Sequence, residues 1–564
     1  MTRALTAGAA VFARLARLGV DVVLVNSGTD FPPIIEGFAE AGAHGAPLPR
    51  PVLVAHEHVA MGMAHGYYFA SGRAQAVVLH TNVGLANGAI GAINAATDHV
   101  PVLLMSGRTH TVEEGRFGAR TVPIGWGQEM RDQAALVREA CKWDYELRYP
   151  EQVPSLLDRA HAIASSTPRG PVYLSLPREV LCEPCPADAL DPDPAMTPAV
   201  STAHPDQLAT AAAMLAGASR PLIVAQRGAG TGQGFDALAR LADEWAIPVC
   251  QYWAVATAIA ADHPSYVGTD PAPWLADADV VVVVDSLAPW SPDLHRLSPQ
   301  CRVIQLGPDP LYSRFPVRNF RVDVPIVTEV GPGLEGLAAA LAAHDRAPGI
   351  DQRKVRLDEH RGARRARSDE LDDRDPAAPM TKEWVARTLG RAIAGRTVTV
   401  VSELGCPLDP LGLQEHGSWR QEPHSGGLGW GLPCAMGIKL ADPDRLVIAT
   451  IGDGSYMFAN PVACHQVAEA HDIAVLTIVC NNAGYGAVRD AVLGLYPTGY
   501  ASKEDAVPLT GLAPSPAFAE VAAASRAHAE TVQAGTELAG ALERALHAVS
   551  VERRQALLDV LVVD

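Results

Sequence analysis

The sequence predicts an α/β protein built from three doubly wound, parallel-sheet domains. The chain has 564 residues, which is too long for a single hydrophobic core. Short runs of β-branched and other apolar residues recur along it, as is typical of strands buried on both faces of a sheet. Longer stretches with helical periodicity separate these runs. Strands that alternate with helices in this way predict parallel sheets.

The first predicted domain spans residues 1–185. Its predicted strands are the five apolar runs Val22–Val25, Val52–Ala55, Ala76–His80, Val102–Met105 and Val172–Leu176. A linker rich in proline and aspartate follows, from about Cys182 to Pro205.

The second predicted domain spans residues 206–345, with strands at Leu222–Ala225, Val280–Val284 and Val303–Leu306. The glycine-rich run Gly228–Gly234 does not match the Gly-x-Gly-x-x-Gly pattern of dinucleotide sites. We therefore predict a structural loop at the start of a helix, and not an FAD or ADP site. The mixed-charge stretch Asp351–Asp375 is predicted to be a solvated linker or an exposed helix.

The third predicted domain, residues 380–564, contains the most informative motif. Leu446–Ile451 and Leu476–Cys480 read as buried strands, with a helix between them around Val462–Ala470. Asp453 follows the first strand and Asn482 the second, so both side chains are predicted at one sheet edge, where open α/β sheets bind ligands. A carboxylate, an amide oxygen and the carbonyl of Gly484 are ligands that suit Mg²⁺ held together with phosphate. A Gly-Asp-Gly sequence also occurs in plain hairpin turns, which is the alternative interpretation.

Composition restricts the possible partners. The formal net charge of −18 argues against nucleic-acid binding. No apolar run is long enough to cross a membrane and no signal core follows the N-terminus, so we predict a cytoplasmic protein without membrane attachment. Nine cysteines are scattered along the chain, and the lone pair Cys182 and Cys185 has no partners that would complete a zinc or redox site.

The segment Gly452-Asp453-Gly454, followed by Asn481-Asn482, resembles the thiamine diphosphate (ThDP) binding motif. The glycine-rich segment Gly426–Pro433 just before it fits the same pattern. Over nearly its whole length the chain is similar to ThDP enzymes typified by acetolactate synthase, benzoylformate decarboxylase and pyruvate decarboxylase. The resemblance implies pyrimidine-binding, middle and diphosphate-binding domains, with ThDP and Mg²⁺ as cofactors. It also implies a homodimer at minimum, with a homotetramer expected, in which Glu57 of one chain meets the cofactor held by Asp453 of another.

The resemblance implies a role for each candidate residue. The proton relay to the aminopyrimidine is assigned to Glu57, and proton transfer in the pocket to His80, with Gln128 as a further pocket residue. Leu428 would brace the bent cofactor and the carbonyl of Gly426 would accept from its amino group. The predicted cofactor-binding residues are Gly405, Cys406, Gly426, Leu428, Gly454, Ser455, Tyr485 and Gly486, and the predicted substrate pocket contains Ser27, Gly28, Thr29, Ala487 and Val488.

Structural alternatives stay open for three of these residues. Glu57 has the alternative of a helix N-terminal carboxylate, His80 that of a strand-end residue bonded to backbone, and Leu428 that of an ordinary core residue. The chain also departs from its relatives. It lacks the Gln-Trp-Gln run of biosynthetic acetolactate synthases, and Trp290 and Pro292 lie near the position of a second pocket histidine in benzoylformate decarboxylase. Gly405 and Cys406 supply backbone donors and a thiol where that enzyme has hydroxyls.

The leading functional hypothesis is a ThDP-dependent enzyme that decarboxylates a 2-oxo acid, with acyloin carboligation as a possible outcome. A second hypothesis is a 2-hydroxyacyl-coenzyme A lyase, which needs basic residues to hold the nucleotide. A third is a catalytically degenerate family member with a structural or regulatory role, which predicts the loss of Glu57 or of the metal ligands.

Overall fold

A computed structural model describes residues 5–186, 193–346, 349–504 and 506–563. The start of the first predicted domain, part of the predicted linker after Cys182 and the last residue of the third predicted domain lie outside the described residues. The described chain forms three parallel sheets of six, five and six strands, flanked by helices. This confirms the predicted fold class, and the predicted bounds of the three domains stay predictions. No helix among the described residues is both long and apolar enough to span a membrane.

The first sheet has the strand order β2-β1-β3-β4-β6-β5, with all neighbours parallel. Its strands are β1 (Val22–Val25), β2 (Arg50–Leu53), β3 (Gln75–Leu79), β4 (Val102–Arg108), β5 (Asp144–Glu146) and β6 (Val172–Pro177). Its helices are α1 (Ala7–Arg17), α2 (Pro32–Ala43), α3 (Glu57–Ser71), α4 (Thr81–Thr97), α5 (Ile124–Gly127), α6 (Val153–Ser165) and α7 (Arg178–Leu181).

The second sheet has the order β11-β10-β9-β7-β8. Its elements are α8 (Pro205–Ala216), β7 (Pro221–Ala225), α9 (Gly232–Glu244), β8 (Val249–Cys250), α10 (Ala272–Leu275), β9 (Val280–Val284), β10 (Arg302–Gly307), β11 (Val324–Val327) and α11 (Val330–Leu341). Helix α12 (Ile350–Asp372) then leads to the third sheet, which resolves the mixed-charge stretch as a helix.

The third sheet repeats the strand order of the first, as β13-β12-β14-β15-β17-β16. Its strands are β12 (Val398–Glu403), β13 (Trp419–Gln421), β14 (Leu446–Gly452), β15 (Leu476–Asn481), β16 (His528–Val532) and β17 (Ala556–Leu561). Its helices are α13 (Lys382–Ala392), α14 (Leu408–Leu411), α15 (Gly431–Ala441), α16 (Asp453–Phe458), α17 (Pro461–Ala470), α18 (Gly486–Leu495), α19 (Phe518–Ala523) and α20 (Gly535–Ser550).

The first and third sheets share one hydrophobic core. Helices α3 and α15 are equivalent in the repeated topology, and they pack directly against each other. The crossing is close because both helices present glycine there: a Cβ on Gly66 would lie 1.9 Å from the Cys434 carbonyl oxygen. Trp430 donates from Nε1 to His65 Nδ1 at 3.1 Å across the same contact. The first and third sheets are therefore joined by a buried contact, although the whole middle sheet lies between them in sequence.

The glycine run of the middle sheet has a packing role. Thr231 Oγ1 accepts from the N–H of Gly234 at 3.0 Å and caps α9. A Cβ on Gly234 would lie 2.6 Å from Gly331 Cα, so this glycine permits the close contact between α9 and α11. At the carboxyl end of the same sheet, Arg227 donates to Tyr312, whose hydroxyl donates to Asp285 at 2.8 Å. These side chains support the predicted structural role of the loop.

Two local predictions differ from the structure. The second strand begins and ends two residues earlier than Val52–Ala55, because Val54 and Ala55 already form the turn into α3. Strands β5, β8, β11, β13 and β16 are absent from the prediction because strands this short or this polar lack a continuous apolar run. The longer strands β12 and β17 of the third sheet are also absent from it.

Candidate active site

The predicted site residues lie at the carboxyl ends of two equivalent strand pairs. In the first sheet β1 lies between β2 and β3, and in the third sheet β12 lies between β13 and β14. The chain therefore adds its second strand on one side of the first strand and its third strand on the other side, which makes a topological switch point. Ser27 and His80 follow β1 and β3, while Gly405 and Asp453 follow β12 and β14. Ligands of open α/β sheets bind in the crevice at such a switch point. The repeated topology thus produces two crevices. The crevice of the first sheet contains the predicted proton-transfer residues, and that of the third sheet contains the predicted metal and phosphate ligands.

The three predicted metal ligands lie together. Asp453 Oδ2 and Asn482 Oδ1 both accept from the N–H of Gly484, at 3.2 and 3.3 Å. Asp453 Oδ1 also accepts from the N–H of Gly454 at 2.8 Å. Burial raises the pKa of the Asp453 carboxyl, although backbone donors and the charge of Lys382 oppose the shift. The group gathers one carboxylate, one amide oxygen and one nearby carbonyl, which is a set of oxygen ligands that suits Mg²⁺.

Tyr485 covers the turn that carries Asp453. A Cβ added to Gly454 would lie 2.7 Å from the Tyr485 ring, so only a glycine leaves room for the ring there. The backbone N–H of Tyr485 donates to the Thr510 carbonyl at 2.7 Å, and that of Gly486 to the Gly484 carbonyl at 3.0 Å. Ser455 is buried on the adjacent turn. These contacts hold the loop between β15 and α18 against the end of β14.

Glu403, the last residue of β12, holds the turn that contains Leu428. Its Oε1 accepts from the N–H of Gly429 at 2.5 Å, and its Oε2 accepts from the N–H of Gly431. Burial raises the pKa of this carboxyl to about 7, although the backbone donors oppose the shift. Leu428 itself is half-buried, and its N–H donates to the Gly426 carbonyl at 3.0 Å. The predicted bracing residue therefore sits on a turn that a buried carboxyl anchors at two points.

A cavity of about 350 Å³ opens beside Gly405 and Cys406. Lys382, the first residue of α13, lines it and donates to the Leu404 carbonyl at 3.0 Å. Among the described residues no carboxylate lies within ion-pair distance of this ammonium group. Glu422 also lines the cavity, and burial together with the charge of Glu403 raises its pKa to about 8. The cavity thus has a lysine, backbone amides and a carboxyl that stays protonated near neutral pH.

Glu57 begins α3 and is buried. Its Oε2 accepts from Asn87 Nδ2 of α4 at 3.1 Å. A Cβ on Gly84, also in α4, would lie 3.1 Å from Glu57 Oε1, so α4 passes close to this carboxyl. This position does not distinguish the two interpretations of Glu57. A carboxylate in the first turn of α3 is stabilised by the helix dipole, and the same turn lies at the edge of the sheet where a catalytic role is predicted.

His80 is held between two polar side chains. Its Nδ1 bonds to the buried Asp30 carboxyl, and its Nε2 faces Gln128 Nε2 at 2.9 Å. Gly28 gives the imidazole its space, since a Cβ there would lie 2.2 Å from the ring. The two predicted pocket residues His80 and Gln128 are therefore in contact, although 48 residues separate them in sequence.

The remaining predicted pocket residues lie at the rim. Ser27 and Thr29 are exposed beside His80, and Ala487 and Val488 are exposed on the first turn of α18. The two groups belong to different sheets, and the described contacts do not join them within one chain. Whether they line one pocket depends on how the crevices of the first and third sheets face each other in the assembly, so their assignment stays a prediction.

Sequence reasoning missed four residues that the structure brings to these clusters: Asp30, Asn87, Lys382 and Glu403. Asp30 and Glu403 each carry a carboxylate at or just beyond the end of an apolar strand, which is a signal that could have been used. Asn87 and Lys382 lie on helices, where sequence position alone does not show which side chain reaches a sheet edge.

The residues present fit a diphosphate cofactor with a divalent cation. The buried Asp453 carboxyl accepts from backbone donors near the charge of Lys382, and Gly454 leaves the backbone of its turn free of a side chain. Gly405 and Lys382 place an N–H and an ammonium group on the neighbouring wall. Oxygen ligands on one side and phosphate-binding donors on the other are the two requirements of such a group.

Comparison with known protein families gives three matches along the chain. Residues 5–136 match the model of the N-terminal TPP binding domain of thiamine pyrophosphate enzymes, residues 208–337 the central domain, and residues 408–560 the C-terminal TPP binding domain. Thiamine pyrophosphate is another name for thiamine diphosphate. Of the strands at the two switch points described above, the matched segments contain β1, β3 and β14 but not β12.

Several curated proteins are similar over most of their length. The chain is 29% identical to a probable 2-ketoarginine decarboxylase of Pseudomonas aeruginosa over 511 residues, covering 87% of this chain and 85% of that protein. It is 27% identical to the benzoylformate decarboxylase of the same organism, covering 86% and 87%. It is 26% identical to a probable acetolactate synthase large subunit of Methanocaldococcus jannaschii, covering 78% and 74%.

Solved structures share the fold. A thiamine diphosphate-dependent 4-hydroxybenzoylformate decarboxylase of Rhodococcus jostii superposes with a TM-score of 0.78 at 24% identity, covering 99% of both chains. The benzoylformate decarboxylase of Polynucleobacter necessarius superposes with a TM-score of 0.79 at 20% identity, covering 99% of this chain and 98% of that one. These likenesses concern the architecture of the three sheets.

Proposed function

Because this chain belongs to the thiamine pyrophosphate enzyme family, we propose that it is a ThDP-dependent enzyme that cleaves the carbon–carbon bond beside the keto group of a 2-oxo acid. The convergence of Asp453 and Asn482 on the N–H of Gly484 carries the proposal. It gathers the oxygen ligands of a cation at a crevice that also offers phosphate-binding donors. When bound, ThDP supplies the nucleophilic carbon and the electron sink that carbon dioxide loss requires.

The residues of the third sheet are assigned to binding. Asp453, Asn482 and the carbonyl of Gly484 would hold Mg²⁺, which in turn neutralises the diphosphate. Gly405, Cys406, Gly454 and Ser455 would present backbone and side-chain donors to the phosphate oxygens. Leu428, on the turn that Glu403 anchors, would brace the cofactor, and Gly426 and Tyr485 would border it.

The residues of the first sheet are assigned to proton transfer. Glu57 would exchange a proton with the ring nitrogen of the aminopyrimidine, since a carboxyl group can both donate and accept a proton. His80 would move protons at the substrate, because an imidazole has one ring nitrogen that donates and one that accepts. Gln128 would orient the substrate beside it, and Ser27, Gly28, Thr29, Ala487 and Val488 would form the walls.

We propose further that the site is completed by a second copy of the chain, as a homodimer at minimum. Within one chain the hydrogen bonds of Glu57 go to Asn87, and those of Asp453 go to Gly454 and Gly484, so the two carboxylates lie in separate clusters. Apolar side chains beside both clusters are exposed: Val83 and Ile93 on α4, and Phe458 and Val462 on α16 and α17. We assign these side chains to the contact with the second copy, where they would be covered.

A subunit-complementation experiment tests the shared site. Glu57→Gln and Asp453→Ala chains, each inactive alone, are mixed under conditions in which subunits exchange. One of the two sites in a mixed dimer then contains neither substitution, so activity returns to at most about half of the wild-type value per mixed dimer. Proven exchange without any recovered activity would show that each site is built within one chain.

The substrate class is tested with the purified protein, ThDP and Mg²⁺, on a panel of aliphatic, aromatic and cationic 2-oxo acids. Carbon dioxide, aldehyde and acyloin are measured separately. Carbon dioxide release with aldehyde indicates decarboxylation, and release with acyloin indicates carboligation. ThDP binding without turnover of any 2-oxo acid would contradict the proposed reaction while leaving the cofactor assignment intact.

A 2-hydroxyacyl-coenzyme A lyase would use the same cofactor and is the second candidate function. No contact described above favours this reaction over the cleavage of a 2-oxo acid. A cleavage assay with a 2-hydroxyacyl-coenzyme A thioester decides between the two reactions. The catalytically degenerate alternative predicts the loss of Glu57 or of the metal ligands, and the presence of Glu57, Asp453 and Asn482 argues against it.

A further inference from the structure

The bond between Asp30 and His80 connects two elements that both end at the first crevice. Asp30 lies just beyond β1 and its side chain is only 4% exposed, whereas that of His80 is 16% exposed. Asp30 Oδ1 bonds to His80 Nδ1, and Asp30 Oδ2 accepts from the N–H of Thr81 at 3.3 Å. A Cβ on Gly107, in β4, would lie 1.5 Å from Asp30 Oδ2. Only a glycine at this position of β4 therefore leaves room for the Asp30 carboxyl.

The partners of His80 determine which ring nitrogen carries the proton. A carboxylate only accepts hydrogen bonds, so Nδ1 must donate to Asp30. The structure turns the amide nitrogen of Gln128 towards Nε2 at 2.9 Å, and in that orientation Nε2 accepts from it. The network therefore describes a neutral imidazole with its proton on Nδ1 and a free electron pair on Nε2, the nitrogen on the more open side.

We propose that Asp30 is the positioning residue for His80: it fixes the tautomer and orientation that present Nε2 to the substrate pocket. The role of His80 in the reaction rests on the proposed function, whereas the positioning of its ring by Asp30 does not. A carboxylate behind an imidazole stabilises the charged form that arises when Nε2 takes up a proton, and it prevents the ring from turning. Asp30 itself does not touch substrate, because the imidazole lies between the carboxyl and the pocket.

The first test uses Asp30→Asn, His80→Ala and the double variant. Loss of a residue that orients another costs about 10–100-fold, and we expect kcat of Asp30→Asn to fall by that factor, with ThDP–Mg²⁺ affinity unchanged within about twofold. If Asp30 acts only through His80, the double variant is no slower than His80→Ala. The limb of the pH–rate profile that His80→Ala removes should also change in Asp30→Asn. Additive losses in the double variant would overturn the proposal. The exposed Asp206→Asn serves as the matched control.

A second variant separates positioning from folding. Gly28→Ala leaves Asp30 in place but puts a methyl group where the imidazole lies. We expect it to reproduce the loss in kcat, and again to add nothing to His80→Ala. Gly28→Ala with wild-type kcat would contradict the proposal, because the ring would then tolerate displacement from Asp30.

A third measurement needs neither cofactor nor turnover, so it remains decisive if the proposed function fails. Ethoxyformylation by diethylpyrocarbonate attacks an unprotonated imidazole nitrogen, and peptide mass spectrometry gives its rate at His80. In the apo-protein, Asp30→Asn should slow modification of His80 severalfold and leave that of the exposed His204 unchanged. Equal rates at His80 in both proteins would overturn the proposal.

Discussion

Glu403 provides the most quantitative prediction, because a single carboxyl anchors the turn that carries Leu428. Two backbone N–H groups converge on it, that of Gly429 on Oε1 at 2.5 Å and that of Gly431 on Oε2. The substitution Glu403→Gln keeps the shape but replaces one acceptor oxygen with an NH₂ group. One of the two N–H groups then faces a donor and loses its partner.

The expected cost follows from the number of bonds lost. A hydrogen bond to a charged group contributes about 1.5–3 kcal/mol, and a buried polar group left without a partner costs about 1–3 kcal/mol. A loss of about 2 kcal/mol at this turn corresponds to a roughly 30-fold rise in the Kd for ThDP–Mg²⁺, since about 1.4 kcal/mol equals a factor of ten. Removing a buried carboxyl also relieves its desolvation, so the melting temperature is a poorer measure of the turn than cofactor affinity.

Calorimetric titration of apo-protein at about pH 8 is the appropriate assay, because the wild-type carboxyl, with a pKa raised to about 7, is then mostly ionised. Glu537→Gln is the matched control: Glu537 also accepts from two backbone N–H groups, at 3.2 and 3.3 Å, at the exposed start of α20. We expect the control to leave the Kd unchanged. A Kd for Glu403→Gln within about twofold of the wild-type value would refute the reasoning that this carboxyl organises the cofactor turn.

Three further substitutions test other parts of the site. Glu57→Gln should leave ThDP bound but slow hydrogen–deuterium exchange at its reactive carbon by about 10²–10⁴-fold, because general acid–base catalysis typically contributes that factor; wild-type exchange would contradict the relay. Lys382→Met should raise the Kd for inorganic diphosphate about tenfold if its ammonium group faces the phosphates, since hydrogen bonds to charged groups contribute about 1.5–3 kcal/mol. Lys354→Met, at an exposed lysine, is the control and should leave this Kd unchanged. Equal Kd values for wild type and Lys382→Met would remove Lys382 from the site. Glu422→Gln should stabilise the protein at alkaline pH. The folded-state pKa of Glu422 is raised to about 8, so the stability it contributes is complete in acid and is lost as the pH rises through that value, whereas a glutamine does not ionise. In thermal melts from about pH 5 to about pH 9, the melting temperature of the variant should therefore rise relative to that of the wild type as the pH increases. A constant difference between the two melting temperatures would contradict the buried, protonated state.

Much of the fold could be predicted because its strands are buried on both faces. Val280–Val284 and Leu446–Ile451 are continuous apolar runs, and such runs identify a parallel sheet without knowledge of its neighbours. The Gly-Asp-Gly and Asn-Asn motifs follow two of these strands directly, so chain direction alone places them at one edge. The order of strands within each sheet, by contrast, depends on contacts between distant segments.

Parts of the candidate site could not be predicted, because they depend on which helices and turns pass a strand end. Asp30 meets His80 only because β1 and β3 are neighbours in the sheet, and Gln128 reaches the same ring from a loop 48 residues further along. Glu403 meets the glycine turn only because β12 lies beside β14. None of these pairs has a sequence spacing that indicates contact.

The class of fold, the family resemblance and the residue types at the strand ends can be read from the sequence, because apolar periodicity and local motifs are properties of short segments. The shared strand order of the first and third sheets, the packing of α3 against α15, and the support that Asp30 and Glu403 give to His80 and the Leu428 turn emerge only in the folded chain. A hydrogen bond or a close helix crossing depends on positions in space. Those positions are set by packing over the whole core, whereas the sequence specifies directly only what each segment contributes to it.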